Sequence, residues 1–274
     1  MLRRAVERGA LLVSLALSAC RSEPALPPGA RELAARMVAG KFDAPGGGLE
    51  VHYQLFVPAG YSSARRYPLI VSLHGAGSHG TDNVRQLSST VGAVIDHAQA
   101  VEPTLVLVPQ DPTGDKWVSG SGEAPYRNFH QAERPQSAAS GVVLAGIGQL
   151  EKQYSIDPDR IYLTGGSAGG TGTWDWITRG GVGRFAAAVP VTGANDPASA
   201  ATIAHLPIWA FHGAQDNVAP VENSREMVAA LRALGSPVRY TEYPDVGHES
   251  WNRAYAESEL FRWLLAQRRS AAAR

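Results

Sequence analysis

Short apolar runs alternate with longer segments of helical periodicity along this chain, and this alternation restricts its fold more than any other feature. The apolar runs predict strands at Leu49–Val57, Leu69–Leu73, Thr104–Val108, Ile161–Thr164, Ala186–Val191, Ile208–Phe211 and Val238–Tyr243. The segments between them predict helices at Asn83–Gln99, Gln136–Tyr154, Ala168–Thr178, Val221–Leu234 and Trp251–Ala266. The repeated strand–helix order predicts an α/β fold, in which a mostly parallel, doubly wound sheet carries helices on both faces.

The loops of such a sheet indicate where a binding site would lie. Right-handed crossovers bring the C-terminal ends of the parallel strands to one edge, and ligands of open α/β sheets bind at that edge. The chain has 274 residues, and residues 41–267 are enough for one large domain with its own core. Reactive side chains are therefore expected directly after the predicted strands.

A serine among glycines follows the predicted strand Ile161–Thr164. The sequence over residues 165–170 is G-G-S-A-G-G, which contains the G-x-S-x-G pattern of a nucleophile elbow between a strand and a helix. Ser167 is the expected nucleophile, held in a strained turn that requires glycine where side chains would collide. Because a serine hydroxyl is a weak nucleophile, this interpretation requires a neighbouring base. Without that base, the glycines would only serve close packing.

Two backbone amides near Ser167 are expected to stabilise an oxyanion. The run H-G-A-G at residues 74–77 ends an earlier strand, and the loop at this position donates one such N–H group in folds with a nucleophile elbow. We assign this donor to Ala76 and the second donor to Ala168, the residue after the serine. His74 is interpreted as a structural residue at the strand end, with a ring that bonds the loop.

His248 is the expected base, and Asp216 is the expected acid that orients it. Both residues follow later strands, and the chain order Ser, Asp, His is the one that accompanies this elbow. The imidazole would take the proton of Ser167 and return one to the leaving group, while the carboxylate orients the ring. Asp216 could instead only cap the helix that follows it. Other residues remain open for both roles: Asp245 and Asp196 for the acid, and His130 for the base.

Metal, cofactor and nucleic-acid chemistry have little support in the sequence. The chain contains no His-x-x-x-His pair, no cysteine cluster and no dinucleotide fingerprint before a helix. It has 25 basic and 25 acidic residues without a basic stripe, so no nucleic-acid partner is expected. We expect neither a metal nor a cofactor.

The first twenty residues predict export and attachment to a membrane. Three arginines precede the apolar stretch Ala10–Ala19, as in a signal peptide, and the stretch is too short to span a bilayer. The sequence L-S-A-C at residues 17–20 resembles a bacterial lipobox, which makes Cys20 the expected lipidation site. An ordinary signal peptide is the alternative. Cys20 is the only cysteine, so no internal disulfide is expected.

The expected organisation has four parts. They are a lipoprotein signal peptide at residues 1–19, a Pro/Ala-rich tether at 20–40 with a short helix over Arg31–Val38, an α/β catalytic domain at 41–267 and a frayed tail at 268–274. Several acyl chains on one cysteine give stable anchoring. The protein is therefore expected in the cell envelope, on a periplasmic or extracellular face.

The stretch from about Leu49 to Leu265 resembles the bacterial α/β-hydrolases labelled predicted peptidases, which neighbour feruloyl esterases, acetyl-xylan esterases and polyhydroxybutyrate depolymerases. The matching motifs are Y-P-L-I-V at 67–71, H-G-A-G at 74–77, G-T-D-N at 80–83, V-P-Q at 108–110, I-D-P-D-R-I-Y at 156–162, G-T-W-D at 172–175 and H-E-S-W at 248–251. The resemblance implies a compact esterase without a large cap domain. Leucine or methionine often flanks the serine in this group, so the smaller Gly166 and Ala168 would widen the site.

The segment Asp111–Pro135 is expected to contribute to substrate binding. It is long for a connection without periodicity, as binding loops and lids are. Its Trp117, together with Trp251, could flank an aromatic or sugar group of the substrate, or both rings could pack the loop onto the sheet. Gln110, at a strand end, could line the pocket or bond the loop.

The sequence therefore predicts a serine hydrolase that cleaves a carboxylic ester, small or linked to an oligosaccharide, through an acyl-Ser167 intermediate. One alternative is a peptidase of the prolyl-oligopeptidase type, which is disfavoured because no propeller is predicted. The other is a non-catalytic envelope binding protein on a hydrolase scaffold. The set Ser167, Asp216 and His248 argues against this second alternative. The acyl group and the alcohol are not specified by the sequence.

Overall fold

One eight-stranded sheet forms the centre of the computed structural model, which describes residues 25–112, 117–120, 129–179, 181 and 183–269. Its strands are β1 (Val38–Asp43), β2 (Glu50–Phe56), β3 (Tyr67–Leu73), β4 (Leu105–Pro109), β5 (Ile156–Gly166), β6 (Ala187–Val191), β7 (Trp209–Gly213) and β8 (Arg239–Tyr243). The spatial order is β1-β2-β4-β3-β5-β6-β7-β8. β2 runs antiparallel to both of its neighbours, and the strands from β4 to β8 pair in parallel.

Helices cover both faces of this sheet. They are α1 (Ala30–Ala34), α2 (Ser89–Val101), α3 (Ala138–Gln153), α4 (Ala168–Thr178), α5 (Ala200–Ile203), α6 (Glu222–Ala233), α7 (Trp251–Ala254) and α8 (Leu260–Ala266). One core layer contains side chains of α3, α4, α5 and α6, and the other contains side chains of α1, α2, α7 and α8. The predicted α/β fold with a doubly wound, mostly parallel sheet is confirmed.

The alternation of side chains along β3 shows how the two layers share one sheet. Leu69, Val71 and Leu73 belong to the layer of α3 and α4, while Ile70 belongs to the layer of α2 and α8. Every residue of β3 is buried, because successive side chains point to opposite faces and both faces are covered by helices. This explains why the central strands appear in the sequence as continuous apolar runs.

The expected tether at 20–40 differs from the structure in its described part. Helix α1 ends at Ala34 instead of Val38, and β1 begins at Val38 and pairs with β2. In β1 only Phe42 is buried, stacked on Tyr53 with 4.3 Å between ring centroids. One buried residue in six gives no recognisable alternation, so the sequence did not reveal this strand.

Two predicted helices also have different bounds. Helix α2 begins at Ser89 and not at Asn83, because Asn83 takes a left-handed conformation with φ 56°. The helix predicted over Trp251–Ala266 is divided into α7 and α8. In the turn between them, the Tyr243 hydroxyl donates to a carboxylate oxygen of Glu257 at 2.8 Å.

The C-terminal segment is tied to the start of β5. The Tyr162 hydroxyl donates to the backbone oxygen of Gln267 at 2.8 Å, and the Arg160 guanidinium donates to the oxygen of Leu265 at 2.8 Å. Arg269, expected in a frayed tail, donates its backbone N–H to Asp159 O at 2.9 Å. Cys20 and the expected signal peptide lie outside the described residues. No helix in the described part of the chain is both long enough and apolar enough to cross a bilayer.

Candidate active site

Ser167 lies at the turn between β5 and α4, the strand–turn–helix context expected for a nucleophile elbow. Its backbone has φ 58° and ψ −120°, a conformation that non-glycine residues rarely adopt. The Ser167 N–H donates to Val191 O of β6 at 3.0 Å and holds the turn in place. A Cβ atom at Gly169 would lie 2.2 Å from Leu73 O, so only glycine allows α4 to approach the end of β3 this closely.

Ser167, His248 and Asp216 form a continuous hydrogen-bonded chain. Ser167 Oγ lies 2.8 Å from His248 Nε2, and His248 Nδ1 lies 2.8 Å from Asp216 Oδ2. The carboxylate fixes the proton on Nδ1, which leaves Nε2 as the acceptor for the serine hydroxyl. This geometry is the one in which an imidazole can remove a serine proton.

Close backbone contact places the acid and the base beside each other. Asp216 follows β7 and His248 follows β8, which are neighbouring parallel strands. A Cβ atom at Gly213 would lie 2.2 Å from Gly247 O, so the end of β7 and the loop before His248 touch backbone to backbone. The glycine at this position is therefore needed for the carboxylate to reach the ring.

Asp216 receives hydrogen bonds on both of its carboxylate oxygens. Oδ1 accepts from the backbone N–H groups of Val218 and Ala219 at 2.8 and 2.9 Å, so the residue also holds its own turn. Burial alone would raise the pKa of Asp216, but the hydrogen bonds from His212, His248 and these amides outweigh it and hold the pKa below its ordinary value. The carboxylate is therefore charged at neutral pH.

His212 is a second histidine beside Asp216, and its sequence context does not predict a role in the site. Its Nε2 lies 3.2 Å from Asp216 Oδ2 and 2.8 Å from Ala219 O, while its Nδ1 faces Ser224 Oγ at 2.7 Å. The two oxygen neighbours place the proton on Nε2, so Nδ1 accepts from the Ser224 hydroxyl. The ring is fully buried. The spacing of four residues between His212 and Asp216 was the only available signal in the sequence.

The two alternative acids and the alternative base make contacts away from the Ser167–His248 pair. Asp245 is exposed and pairs with Arg253 at 2.9 Å. Asp196 accepts from the backbone N–H of Ala198 at 3.0 Å and begins a short 3₁₀ helix. His130 is exposed and does not line the cleft that contains Ser167. None of the three contacts the Ser167–His248 pair.

The two expected oxyanion donors flank the serine. Ala168 is the first residue of α4, and Ala76 is the first residue of a 3₁₀ helix at 76–78. In the part of the chain that is described, neither backbone N–H group donates to another protein atom. The loop before Ala76 is close to the serine, since a Cβ atom at Gly75 would lie 3.7 Å from Ser167 Cβ. Ala76 lines the cleft, whereas Ala168 is not among its described lining residues.

His74 supports this loop from inside the protein. Its Nδ1 lies 2.7 Å from Gly75 O, and its Nε2 accepts the backbone N–H of Asp111 at 2.9 Å. Burial lowers the pKa of His74 to about 3, and the hydrogen bond to Gly75 O only partly opposes this effect. The neutral ring can donate on one side and accept on the other, which matches its interpretation as a structural residue.

Two of the three residues considered for substrate binding lie outside the cleft. Trp117 is fully buried, donates from its indole N–H to His74 O at 3.0 Å and packs edge to face on Trp176. Gln110 is fully buried and accepts the Asn83 N–H at 2.6 Å. Neither side chain lines the described cleft, which agrees with the packing alternative for Trp117 and with the loop-bonding alternative for Gln110.

Trp251 does line the cleft, and it also changes the expectation of a wider site. Its ring contacts His248 edge to face, with centroids 5.3 Å apart. A Cβ atom at Gly166 would lie 3.2 Å from this ring, so the indole fills the space beside the glycine. The small residue at 166 therefore makes room for Trp251 and does not widen the cleft.

The cleft over Ser167 has a volume of about 410 Å³, within the range of small-molecule sites. Apart from His248 and the buried, neutral His74, its described lining residues are uncharged. Val91, Val218 and Trp251 supply apolar surface, and serine, threonine and glutamine side chains supply polar surface. Among the described residues, no group of three or more histidine, cysteine, aspartate and glutamate side chains is arranged to hold a metal ion.

Comparison with known proteins agrees with this architecture. The chain matches the sequence model of the dienelactone hydrolase family over residues 122–267 and a putative esterase model over residues 47–177. The first match includes the positions of Ser167, Asp216 and His248, and the second includes Ala76 and Ser167. The fold and the elbow define an α/β-hydrolase. The chain belongs to the dienelactone hydrolase family, whose model matches more than half of its length.

The similar proteins include esterases and a peptidase. The crystal structure of a thermostable esterase is 38% identical, with a TM-score of 0.76 over 87% of this chain and 64% of that chain. The bifunctional acetylxylan esterase/xylanase XynS20E of Neocallimastix patriciarum is 24% identical over 80% of this chain. The uncharacterized peptidase YuxL of Bacillus subtilis is 24% identical over 73% of this chain. The chain spans only 28% and 34% of the length of these two curated relatives.

Proposed function

We propose that this protein is a serine esterase that hydrolyses a carboxylic ester through an acyl-Ser167 intermediate. The observation that carries the proposal is the continuous chain from Ser167 Oγ through His248 to Asp216, with 2.8 Å at each step. Similarity to a thermostable esterase and to an acetylxylan esterase supports esters as the substrate class.

Acylation follows from the positions of the donors and acceptors. His248 Nε2 removes the Ser167 proton while Oγ attacks the ester carbonyl carbon. The carbonyl oxygen becomes an oxyanion, which the N–H groups of Ala76 and Ala168 stabilise. The charged Asp216 carboxylate stabilises the imidazolium that forms. When the carbon–oxygen bond of the ester breaks, His248 transfers its proton to the leaving alcohol.

Deacylation repeats these steps with water as the nucleophile. His248 Nε2 removes a proton from water, the resulting hydroxide attacks the acyl carbon, and the same two amides hold the second oxyanion. Collapse of the intermediate returns the proton to Ser167 Oγ and releases the carboxylic acid. The proposal requires neither metal nor cofactor at any step.

Substitution of the serine tests the proposal directly. We expect Ser167→Ala to lower kcat on p-nitrophenyl acetate by at least about 10⁴-fold and to abolish labelling by a fluorophosphonate probe. Ser199→Ala is a matched control, because the Ser199 hydroxyl only donates to Asp196 O in a surface turn. Full activity of Ser167→Ala would refute the proposal, and absence of labelling in the unmodified protein would favour a non-catalytic binding protein.

A peptidase with the same three residues is the second candidate, favoured by the similarity to YuxL. The described lining of the cleft has no carboxylate that could pair with the α-ammonium group of a peptide. We therefore expect kcat/KM for alanine p-nitroanilide to be far below that for p-nitrophenyl acetate. A higher kcat/KM for the anilide would make the peptidase the better assignment.

We also propose that the enzyme is exported and lipid-anchored at Cys20. The arginines, the apolar stretch and the L-S-A-C sequence at residues 17–20 support this proposal. Cells grown with an alkyne-labelled fatty acid should label the intact chain and not the Cys20→Ala variant. Equal labelling of both chains, or labelling of neither, would contradict the anchor.

A further inference from the structure

A network of side-chain amides fixes the orientation of Gln86, which is one of the residues that line the cleft. The amide nitrogen of Asn83 donates to Tyr53 O at 2.9 Å, so Asn83 Oδ1 must be an acceptor. Gln86 Nε2 donates to this oxygen at 2.7 Å. Gln54 and Gln110 hold the Asn83 backbone, at its oxygen and its N–H group respectively. The orientation of the Gln86 amide is therefore determined by hydrogen bonds and is not arbitrary.

The other end of this amide has no partner within the protein. Gln86 is fully buried and forms part of the cleft wall, and its Oε1 accepts no hydrogen bond from the described residues. A buried acceptor without a donor is unfavourable. A donor that belongs to a ligand in the cleft would satisfy it.

Three hydroxyl groups share the cleft wall with Gln86. Ser72, Ser88 and Thr90 line the same cavity. Ser88 is the N-cap residue of α2, although its side chain makes no capping hydrogen bond. None of these three hydroxyls is engaged by another side chain or backbone group among the described residues. The wall therefore offers donors and acceptors that the fold itself does not use.

The charge of the expected ligand follows from two opposing features. The N-terminus of α2, a helix of 13 residues, carries a partial positive charge that disfavours a cation. Gln86 Oε1 is an acceptor that disfavours an anion. A neutral hydroxyl fits both features, because it can donate to Oε1 and accept from the serine and threonine hydroxyls. We infer that this wall is a subsite for an uncharged, hydroxyl-bearing group of the ester substrate, an inference that rests on the proposed esterase activity.

Matched esters test the subsite, and they distinguish a hydroxyl on the acyl part from one on the alcohol. Methyl hexanoate, methyl 6-hydroxyhexanoate and monomethyl adipate share six acyl carbons and differ only at the far end. Butyl butyrate and 4-hydroxybutyl butyrate form the corresponding pair for the alcohol. We expect the hydroxylated member of one pair to have about tenfold higher kcat/KM, as one additional neutral hydrogen bond gives. The carboxylate of monomethyl adipate should give the lowest value.

Substitutions in the cleft wall test whether the preference for the hydroxylated ester comes from these residues. Gln86→Met keeps the approximate side-chain shape and removes Oε1, so it should reduce the preference ratio to about one. Thr90→Val removes one of the three hydroxyls and should reduce the ratio by a smaller factor. Gln54→Met is the matched control, since Gln54 also bonds Asn83 and is buried but does not line the cleft. It should keep the tenfold ratio.

Three results would overturn the inference. A ratio near one in the unmodified enzyme for both pairs would refute the subsite while leaving the esterase activity intact. An equal loss of the preference ratio in Gln54→Met and Gln86→Met would show that both glutamines act by holding Asn83 in place, and that Gln86 does not contact the substrate. A preference for monomethyl adipate would show that the wall binds an anion. If none of these esters were hydrolysed, the proposed function would fail together with the subsite.

Discussion

A single methyl group at Gly169 should separate the two structural elements that carry Ala76 and Ala168, the proposed oxyanion donors. In the structure, a Cβ atom at this position would lie 2.2 Å from Leu73 O and 2.9 Å from His74 O. Real Cβ atoms essentially never come closer than 3.0 Å, so α4 and the end of β3 would have to separate by at least 0.8 Å. The loop that carries Ala76 follows β3 directly, and Ala168 begins α4.

The expected magnitude follows from this displacement. Overpacking of a tight backbone contact typically reduces the free energy of unfolding by about 1–3 kcal/mol. A misplacement of about 1 Å in catalytic geometry can lower the rate roughly 100-fold, and the loss of one oxyanion donor lowers kcat by about 10²–10³. Alanine is otherwise favoured over glycine in a helix by about 0.5–1 kcal/mol. Any loss of stability in Gly169→Ala therefore comes from the contact with β3.

Two measurements check this reasoning. Urea denaturation of Gly169→Ala should show the lower free energy of unfolding, and turnover of p-nitrophenyl acetate should show a roughly 100-fold lower kcat with a smaller change in KM. Gly141→Ala in α3 is the control, because no heavy atom lies within 4 Å of its added Cβ. That control should be neutral or stabilised and fully active. A Gly169→Ala enzyme with unchanged stability and kcat would refute the close-contact argument.

Three further changes have defined outcomes. His212→Leu should lower kcat about tenfold because Asp216 loses one hydrogen bond. His212→Gln keeps an N–H donor and should retain most of the activity. An equal loss of kcat in both variants would exclude a positioning role for His212. The pKa of His74 is about 3 in the folded protein, compared with an ordinary value of 6.5. Between these two pH values the folded state binds fewer protons than the unfolded state. The free energy of unfolding should therefore fall as the pH drops from about 6.5 to about 3. His74→Gln should flatten this decrease in acid denaturation curves, and an unchanged slope would contradict the burial of a neutral ring. Gly146→Ala should lower the thermal midpoint because its Cβ would lie 2.4 Å from the Phe42 ring, and an unchanged midpoint would show that this ring can move.

The sequence revealed the parts of the fold with strong periodicity. The buried strands and the bounds of α4 followed from apolar runs and from the glycine turn at Ser167. β1 could not be found because Phe42 is its only buried residue. The start of α2 was placed too early because the left-handed conformation of Asn83 depends on contacts with distant strands.

Among the site residues, those in local sequence motifs could be predicted, and those that depend on tertiary contacts could not. Ser167, Asp216 and His248 lie in short motifs directly after strands, so local pattern and chain order were enough to bring them forward as candidates. The role of Trp117 was left open between substrate binding and packing, because residue type alone does not distinguish an aromatic ring facing a ligand from one packed on Trp176. The contact of His212 with Asp216 depends on how one loop folds back on itself, and sequence spacing does not determine that.

The bonds between the start of β5 and the C-terminal segment also bear on how the chain is made. Arg160 and Leu265 are separated by 105 positions, and Tyr162 is as far from Gln267. A ribosome adding about 5–20 residues per second needs roughly 5–20 s to cover that distance. During this interval β3 is already available to pair with β5, but β6, β7 and β8 are still being synthesised, so the sheet is incomplete. The N-terminal segment leaves the ribosome long before the C-terminal contacts form, so the export signal that we propose at residues 1–19 would be accessible before the domain is complete.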